Sequence, residues 1–563
     1  MHFSSLAISL LVCGISVSAA DNAPILSPSI DTFVNNLLAE WNSPGGAAVA
    51  VSVETKGYGV AKADGTKVTP DTIFSIGSNS KLFDVLATGL LITNDTLSPP
   101  ISWKTTIASV IPSWKLMDPV ASSQSTIADL MSHRTGMPAH DFAYFTFNDT
   151  ILALASFTLL SVNRLQYLKP STGFREAYQY NNIMYAIISY LPTALLPHKP
   201  SFANATGRMV QGFGREGVNT TANPLGAGTP RALPYFVPTP SKSEDTFSGP
   251  GGILSTAGDL IHGFFNNRTH TQARWLQMLL SDGQHPITNA RIIPPSVIQM
   301  AASPITVVDG NESNGPTEGM MWLSIMEPPR KFNSVLRTSG FFAWVTRLPL
   351  DGVGVAVLTN DDMGQFTSGI IKYRILDEIL GMDPVDWNSR YKEELQQAAA
   401  VTTTPAPSNA SLPFPIAAGE GKYRNLGYGS DMALCAPATP SPSCTALLSR
   451  LNSTFPAELG SATFVWEWDR PIATYATLIH FEGALFNVSA WIAMPTGNTS
   501  DTFWAYTWGL GLETAVAEFS VVEGKVAGFG IRGGFWVAGP SVDEPQGTTV
   551  EERSEVWFDA LGS

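Results

Sequence analysis

Charged side chains, cysteines and long hydrophobic runs are all scarce in this chain, and each shortage excludes a class of protein. Only 14% of the 563 residues are charged, and the net charge is −14. Nucleic-acid binding requires basic patches that neutralise phosphates, and attraction to anionic lipid has the same requirement. We therefore expect no nucleic-acid partner. Beyond the N-terminus, no segment has the ~18 consecutive apolar residues needed to cross a bilayer, so we also expect no membrane span.

Cysteine is limited to three positions, Cys13, Cys435 and Cys444. Cys13 lies in the apolar N-terminal segment, which leaves an even pair. Cys435 and Cys444 could close a small loop as a disulfide bond in an oxidising compartment. Two free, buried thiols are the alternative.

Motifs for metal and nucleotide chemistry are also missing. His133 and His140 are spaced too far apart for a zinc-binding helix, and no His-Glu-x-x-His sequence occurs. Neither a Gly-x-Ser-x-Gly nucleophile elbow nor a phosphate-binding P-loop is present. We therefore expect neither a metal site nor another cofactor.

The N-terminus favours secretion. Residues 1–20 contain a short apolar stretch, Leu6 to Val17, followed by small residues that suit a cleavage site, so we predict a signal peptide there. A membrane anchor is the alternative, but about 12 to 14 apolar residues are too few to span a bilayer. Asn-x-Ser/Thr glycosylation acceptors also indicate a secreted glycoprotein. They are Asn94, Asn148, Asn204, Asn219, Asn267, Asn311, Asn409, Asn452, Asn487 and Asn498.

The apolar pattern predicts two structural regions joined by a linker. Strand-like runs at Gly46 to Val60 and at Phe341 to Leu358 flank a helical and irregular middle. This order indicates helices packed around a sheet whose strands come from both ends of the region. Residues 396–418 are rich in Pro, Thr, Ser and Ala, as in a linker. The predicted limits are a signal peptide at 1–20, a first domain at 21–395, the linker at 396–418 and a second domain at 419–563.

The second domain is predicted to be an antiparallel β-domain, because short aromatic and β-branched runs alternate with Gly and Asn turns. Its tryptophans either line a ligand pocket or fill the hydrophobic core, and we favour the core. They are Trp466, Trp468, Trp491, Trp504, Trp508 and Trp536.

A candidate catalytic pair, Ser78 and Lys81, stands at a predicted strand-to-helix junction in the sequence FSIGSNSKLF, residues 74–83. Residues three apart share one face of a helix, so the Lys81 amine can approach the Ser78 hydroxyl. Packed among apolar residues, the amine can lose its proton near neutral pH and act as a base for the serine. An N-cap serine followed by a solvated lysine is the alternative. A second copy of this spacing, Ser389 to Lys392, lacks such a context.

Five ordered segments resemble the serine β-lactamase-like and penicillin-binding protein family, over about residues 30–380. The family's nucleophile region is matched in this chain by VTPDTIFSIGSNSKLF, residues 68–83. The family's Tyr-x-Asn segment is matched by YQYNNIMYAI, residues 178–187. The other three are LMSHRTGMPAHD at 130–141, GPGGILSTAGDL at 249–260 and GFFAWVTRLPLDGVGVAVLTND at 340–361. The resemblance implies an α+β fold (an α/β sandwich), with an antiparallel sheet flanked by helices, a helical subdomain and the C-terminal antiparallel β-domain after it.

The resemblance also implies roles for individual residues. Ser78 matches the acylated nucleophile, Lys81 its neighbouring base or proton relay, and Tyr180 the second general base. Asn182 matches the residue that hydrogen-bonds both the substrate and the lysine. The alternative for Tyr180 is a purely structural one, in which it is a core residue of an amphipathic pattern together with Tyr178 and Tyr185.

One motif of the family is altered. A Lys/His-Thr/Ser-Gly triplet is expected shortly before Gly340-Phe341, but the corresponding residues are Ser334 to Leu336, and a shifted register gives Thr338 to Gly340. Arg337 is the cation nearest in sequence. Because the family's cation helps to recognise a substrate carboxylate, esters or amides without a free carboxylate become the favoured substrates. We hypothesise that Arg337 supplies the missing charge in substrate binding.

Two functional classes remain open from the sequence. The first is a secreted serine hydrolase (esterase or amidase) or an acyltransferase that acts on a small-molecule ester or amide through an acyl-enzyme on Ser78. The second is a catalytically silent glycoprotein that binds a small ligand in the former cleft. Hydrolysis and acyl transfer use the same residues up to the last step, and the oligomeric state stays open.

Replacing Arg337 with leucine tests the hypothesis about the missing cation. If the guanidinium replaces the family's cation, Arg337→Leu lowers ester turnover and changes its pH profile, because a positive charge beside the acid–base groups is lost. Turnover of p-nitrophenyl esters across pH provides the measurement. An unchanged rate and profile would show that Arg337 has no such role.

Overall fold

The computed structural model describes a chain interrupted at several loops. The described residues are 24–51, 54–144, 163–196, 209–218, 223–233, 251–262, 275–303, 305–306, 340–399, 411–429, 431–451, 455, 459–470, 473–495, 502–506, 514–537 and 542–561. The predicted signal peptide and the middle of the predicted linker lie outside these residues, so the domain limits stay predictions. Within them, no helix is long and apolar enough to cross a membrane.

The described residues contain both helices and strands in each domain. The helices are α1 (Pro28–Glu40), α2 (Ser80–Ile92), α3 (Ile107–Val110), α4 (Pro119–Gln124), α5 (Ile127–Met131), α6 (Asp141–Tyr144), α7 (Asn182–Leu195), α8 (Ala257–His262), α9 (Trp275–Leu280), α10 (Pro295–Ala302), α11 (Gly364–Ile379), α12 (Trp387–Ala399) and α13 (Pro442–Arg450). The strands of the first domain are β1 (Gly46–Val51), β2 (Glu54–Gly59), β3 (Ile73–Ser75), β4 (Gly212–Glu216), β5 (Thr229–Leu233), β6 (Leu254–Thr256), β7 (Phe342–Leu348) and β8 (Val353–Thr359). Those of the second domain are β9 (Gly421–Arg424), β10 (Met432–Leu434), β11 (Thr463–Arg470), β12 (Ala473–Glu482), β13 (Leu485–Pro495), β14 (Thr502–Tyr506), β15 (Val516–Val522), β16 (Lys525–Arg532) and β17 (Val556–Leu561).

The first domain is built on an antiparallel sheet with the strand order β2-β1-β8-β7. Every residue of β1 and β8 is buried, because both strands are central and helices cover both faces of the sheet. The Asn360 side chain, directly after β8, accepts the backbone N–H of Gly46, 314 residues earlier. The two ends of the domain therefore meet in the middle of the sheet, as the sequence predicts.

Alternate residues of the central strands serve the two faces of the sheet. Val49 and Val357 belong to a cluster that includes α1 and α11. Ala48 and Ala356 point to the opposite face and pack with Leu260 of α8. Small side chains on this second face allow the layer that carries the candidate nucleophile to lie close to the sheet.

A helical subdomain surrounds α2. Helices α7 and α10 contact α2, and α7 also contacts α5. The Tyr185 hydroxyl of α7 donates to the Met131 carbonyl at the end of α5 over 2.8 Å. Asn181 caps α7, because its side-chain oxygen accepts the Met184 N–H. The helix that follows Tyr180 is thus fixed at its first turn.

The second domain is an antiparallel β-barrel. Its strands follow the order β10-β9-β17-β16-β15-β13-β12-β11, and β14 pairs with β13 outside this path. The ring closes where Cys435, directly after β10, exchanges two backbone hydrogen bonds with Val465 of β11. The α+β fold with a C-terminal antiparallel β-domain that the resemblance implies is thereby confirmed.

Aromatic side chains fill the described interior of the barrel. Phe464, Phe486, Phe519 and Phe529 form a chain of ring contacts with centroids 5.1 to 5.5 Å apart. Among the tryptophans named above, Trp466, Trp468 and Trp536 are buried, Trp491 and Trp504 pack against Phe455, and Trp508 lies outside the described residues. These contacts favour the core interpretation over a ligand pocket in the barrel.

The structure pairs Cys435 with Cys444 in a disulfide bond, so the alternative of two free thiols is not adopted. Cys435 follows β10 and Cys444 belongs to α13, and both are buried in a cluster with Leu447 and Val465. The bond therefore ties α13 to the seam at which the barrel closes.

Replacing both cysteines with serine is expected to lower the free energy of unfolding by about 2–3 kcal/mol, because the cross-link restrains a short loop in the unfolded chain. Urea unfolding, followed by tryptophan fluorescence in buffer without a reductant or oxidant so that the wild-type disulfide stays intact, measures the change. The double variant Ser441→Ala, Ser443→Ala alters the start of the same helix but keeps the disulfide bond, and it serves as the control. A double-serine variant as stable as the wild type would contradict the expectation.

Candidate active site

Ser78 lies in a turn that is anchored on both sides. The turn is a short 3₁₀ helix, Gly77–Asn79, between β3 and α2, and Gly77 has a positive φ of 51°. The Asn79 amide donates to the Ile76 carbonyl over 2.9 Å and to the Ala343 carbonyl of β7 over 3.0 Å. The Ser80 hydroxyl accepts the Ile253 N–H. The turn is therefore held by β7 and by the segment before β6.

Lys81 is buried although it carries a titratable amine. It lies one turn after Ser78 on α2, and only 3% of its surface is exposed. Its Nζ is 4.8 Å from the centroid of the Tyr180 ring and 5.4 Å from that of Tyr185. The alternative of a solvated lysine beside an N-cap serine is therefore wrong.

Tyr180 is held by the loop that precedes it in the chain. The backbone N–H of Gln179 donates to the His133 carbonyl over 2.7 Å, and that of Asn181 donates to His133 Nδ1 over 3.0 Å. The imidazole also packs on the Tyr180 ring, with centroids 4.7 Å apart. His133 therefore positions the tyrosine, and the segment at residues 130–141 acts as its support.

The predicted catalytic side chains meet at Ser78. The Ser78 and Tyr180 hydroxyls share a hydrogen bond of 2.6 Å. The Lys81 amine donates to Ser78 Oγ over 3.1 Å and to Asn182 Oδ1 over 2.8 Å. Ser78 Oγ is thus in contact with two groups that can take its proton, which is the arrangement that an activated serine requires.

Asp141 determines how the Asn182 amide is oriented. Asn182 Nδ2 donates to Asp141 Oδ1 over 3.1 Å. Because the Lys81 amine donates to the amide oxygen, that oxygen faces Lys81 and the amide nitrogen faces Asp141. The chain of contacts therefore runs from Asp141 through Asn182 to Lys81 and then to Ser78.

Burial controls the charge of the lysine. It lowers the pKa of Lys81 to about 7, while the negative charges of Asp141 and Asp84 oppose that change. Burial raises the pKa of Asp141 and of Asp84. Burial, and then the charge of Lys81, holds the pKa of His133 well below its usual range, so the imidazole is neutral. Tyr185, whose pKa burial raises, stays a phenol. An uncharged amine is therefore available near neutral pH.

Asp84 is the second carboxyl beside the lysine. It lies three residues after Lys81 on α2, so the two side chains share one face of the helix. Its Oδ2 is buried and has no hydrogen-bond partner among the described residues. Together Asp84 and Asp141 place two acidic groups around one amine.

The remaining predicted positions are mostly outside the described residues. Arg337 and the altered third motif fall there, so the role of Arg337 stays a prediction. Of the ten glycosylation acceptors only Asn94 and Asn487 are described, and both are partly exposed. Within the described part of the chain, no group of three or more His, Cys, Asp or Glu side chains could hold a metal ion.

The second Ser-x-x-Lys sequence is a surface feature. The Ser389 hydroxyl donates to Asp386 over 2.7 Å, and Lys392 forms an ion pair with Glu40. Both side chains lie on α12, away from Tyr180. The spacing alone therefore has no catalytic meaning at this position.

The family model for beta-lactamases matches residues 30–377. The chain belongs to the beta-lactamase family. This assignment confirms the resemblance inferred from the five ordered segments, and it makes the protein a member of a family of hydrolases. All four residues that meet at the candidate site lie within the matched range.

Two curated relatives match most of the chain. Unguisins hydrolase ungD' from Aspergillus campestris is 26% identical over 442 residues, which cover 72% of this chain and 78% of that protein. Unguisins hydrolase ungD from Aspergillus violaceofuscus is 26% identical over 465 residues, which cover 73% of this chain and 77% of that protein. Both are named as hydrolases.

Solved structures that match include two proteins of different length. The octameric penicillin-binding protein homologue from Pyrococcus abyssi has a TM-score of 0.46 at 15% identity and covers 89% of this chain and 97% of its own. A class C beta lactamase from Rhodobacter sphaeroides has a TM-score of 0.43 at 17% identity and covers 63% of this chain and 100% of its own.

Asp141 and Asp84 were not predicted from the sequence. Asp141 ends the family-like segment LMSHRTGMPAHD, directly after His140, and Asp84 interrupts the apolar pattern of α2 one turn after Lys81. An acidic residue inside an otherwise buried pattern is a usable signal, because a buried carboxyl normally has a partner.

Replacing Asp141 with asparagine is expected to move the acid limb of the pH–rate profile to lower pH. The negative charge of Asp141 raises the pKa of Lys81, so its removal lowers that pKa and the neutral amine persists to lower pH. The plateau rate is expected to fall by about 3- to 10-fold, because an Asn side chain no longer fixes the Asn182 amide in one orientation.

The pH dependence of kcat/KM measures both effects. Asp351→Asn, in an exposed turn after β7, makes the same chemical change away from the site and is the matched control. A profile of Asp141→Asn that coincides with that of the control would contradict the expectation.

Proposed function

We propose that this protein is an active-site serine hydrolase that cleaves an ester or amide through an acyl-enzyme on Ser78. One observation carries the proposal. Ser78 Oγ lies 2.6 Å from the Tyr180 hydroxyl and 3.1 Å from the amine of Lys81, and that amine is buried. Members of the beta-lactamase family are hydrolases, and the named relatives are hydrolases of unguisins, which supports hydrolysis over acyl transfer.

Acylation begins with attack of Ser78 Oγ on the carbonyl carbon of the substrate. As the C–O bond forms, the hydroxyl proton passes to the basic pair formed by Lys81 and Tyr180. The carbonyl oxygen becomes an oxyanion, which the backbone N–H of Ser78 can stabilise. The tetrahedral intermediate collapses when the Tyr180 hydroxyl gives a proton to the leaving alcohol or amine.

Deacylation follows the same path in reverse with water as the nucleophile. The Tyr180–Lys81 pair removes a proton from the water, and the hydroxide attacks the acyl carbon. Collapse breaks the bond to Ser78 Oγ and returns the proton to that oxygen, so a carboxylic acid leaves and the site is regenerated. Every proton taken in the first half is restored in the second.

The substrate class follows from the altered third motif. Without a Lys or His at its first position, the cation that would bind a substrate carboxylate is absent from the triplet Ser334 to Leu336. Esters or amides without a free carboxylate are therefore the proposed substrates. Secretion and glycosylation are part of the same proposal, and they rest on the N-terminal apolar segment and the Asn-x-Ser/Thr acceptors.

A fluorophosphonate probe is expected to label Ser78 and not Ser389. Ser78 contacts two bases, whereas Ser389 is a helix residue whose hydroxyl is bound to Asp386. Mass spectrometry of tryptic peptides locates the adduct. Ser78→Ala abolishes both labelling and ester turnover, and Ser389→Ala, which alters the second copy of the same spacing, leaves both unchanged.

The tyrosine is tested in the same assay. Tyr180→Phe lowers the labelling rate by about 100-fold or more, the usual contribution of a general base. Tyr190→Phe, on the helix that follows, is the matched control and retains the wild-type rate. Absence of any adduct on Ser78 in the folded wild-type protein would favour the silent glycoprotein instead.

A further inference from the structure

The inference concerns the segment that carries Asp141, residues 139–142, where the first domain meets the barrel. We refer to it as the anchor segment. Asp141 touches the catalytic chain through Asn182, whereas the residues on either side of it touch the barrel. The barrel contacts come from three separate stretches of the second domain, near residues 428, 468–470 and 535–537.

Backbone contacts hold the anchor segment before and after Asp141. The N–H groups of Ala139 and His140 donate to the carbonyls of Val537 and Trp536, over 3.3 and 3.0 Å. On the far side, the buried Arg470 guanidinium donates to the Phe142 carbonyl. The main chain is therefore fixed by the barrel at both neighbours of Asp141.

Side chains make the attachment specific. His140 Nε2 lies 3.0 Å from the Lys169 carbonyl, and a carbonyl only accepts, so Nε2 carries the proton. Burial lowers the pKa of His140 to about 4, so the ring is neutral and Nδ1 is an acceptor. The Tyr428 hydroxyl, 2.9 Å away, therefore donates to Nδ1. The Phe142 ring stacks on Trp468 and on Phe535, with centroids 4.8 and 5.2 Å apart.

The barrel side of the contact is itself held in an unfavourable conformation. Val537, whose carbonyl receives the Ala139 N–H, has a φ of 54°, a value rare for a β-branched residue. The buried Glu555 carboxylate accepts the N–H groups of Gly534 and Trp536, over 2.7 and 3.0 Å. A turn that is strained and supported in this way marks a surface with a specific geometric task.

We propose that the barrel is part of the catalytic site, and that Tyr428 and Arg470 are positioning residues that hold Asp141 against Asn182 and thereby orient the Lys81 amine. The barrel reaches the chemistry through one continuous chain of contacts, from Tyr428 and Arg470 to the anchor segment, then to Asn182 and Lys81. This inference rests on the proposed function, because it assigns the barrel a role in the same serine chemistry.

The test compares two tyrosines that differ only in what they contact. Tyr428→Phe removes the donor to His140, and Tyr423→Phe removes a buried barrel hydrogen bond to the Gly419 carbonyl. Each variant loses one buried hydroxyl, so a purely structural effect is equal in both. The labelling rate of Ser78 by the fluorophosphonate, measured from pH 5 to 9 on the full-length protein, provides the readout without a known substrate.

Tyr428→Phe is expected to lower the plateau labelling rate by about 2- to 10-fold, the factor that corresponds to one hydrogen bond. Its acid limb is expected to shift to lower pH, because withdrawal of Asp141 removes negative charge near Lys81. The titratable groups that face Lys81 are Asp84, Asp141, Tyr180, Tyr185 and His133, and of these only Asp141 belongs to the anchor segment. Tyr423→Phe retains the wild-type rate and profile.

A double-mutant cycle excludes a general loosening of the fold. If Tyr428 acts through Asp141, Tyr428→Phe has no further effect on the labelling rate in an Asp141→Asn background. Additive effects, or equal effects of the two tyrosine variants, would overturn the inference. If Tyr428→Phe fails to fold, Arg470→Lys, which keeps a charged donor, takes its place in the cycle and must give the same non-additive result.

The failure of this inference differs from a failure of the proposed function. Wild-type protein that is labelled on Ser78 with a rate unaffected by Tyr428→Phe overturns only the role of the barrel. Wild-type protein that is not labelled at all overturns the serine chemistry, and the barrel's role with it.

Discussion

The arrangement of the candidate site depends on the burial of the Lys81 amine away from water. Burying a charged lysine costs several kcal/mol, and this penalty is what makes the neutral form of Lys81 accessible near pH 7. The low-dielectric surroundings must therefore be maintained by tight packing. The aromatic rings of Tyr180 and Tyr185 provide it, and both belong to or directly precede α7. The backbone hydrogen bonds to His133 and the Asn181 cap of α7 fix those rings in place.

Three ionisable groups share this buried volume, and their charges are coupled. Asp84 and Asp141 favour the ammonium form of Lys81, whereas burial opposes the charge on all three groups. The hydrogen bond from Asn182 to Asp141 orients the amide, so that the amide oxygen accepts from the Lys81 amine.

Much of the candidate site was predictable from the sequence, for a physical reason. Ser78 and Lys81 are joined by local helix geometry, and Tyr180 and Asn182 follow each other at a helix start, so short patterns contain most of the information. Ser389 and Lys392 show the limit of such patterns, because the spacing is the same but Lys81 is buried whereas Lys392 forms a surface ion pair. Burial depends on the whole fold and cannot be read from a four-residue motif such as Ser-x-x-Lys.

The position of Asp141 beside Asn182 lay beyond these patterns because its neighbours are held by residues far away in the chain. His140 and Tyr428 are 288 residues apart, and no local rule connects them. The sheet was easier to predict, since β1 and β8 are continuous apolar runs. The aromatic richness of the barrel was visible as well, but not that Trp468 and Phe535 are shared with Phe142 of the first domain.

The central sheet has a consequence for how the chain is made. β1 is fully apolar, and its second partner, β8, is synthesised only after the whole helical subdomain. Until then one edge of β1 is unpaired, and an exposed apolar strand edge promotes association between chains. The early hairpin with β2 protects one side alone. Non-local pairing of this kind slows folding, so this edge of β1 stays unpaired until β8 has been synthesised and has docked.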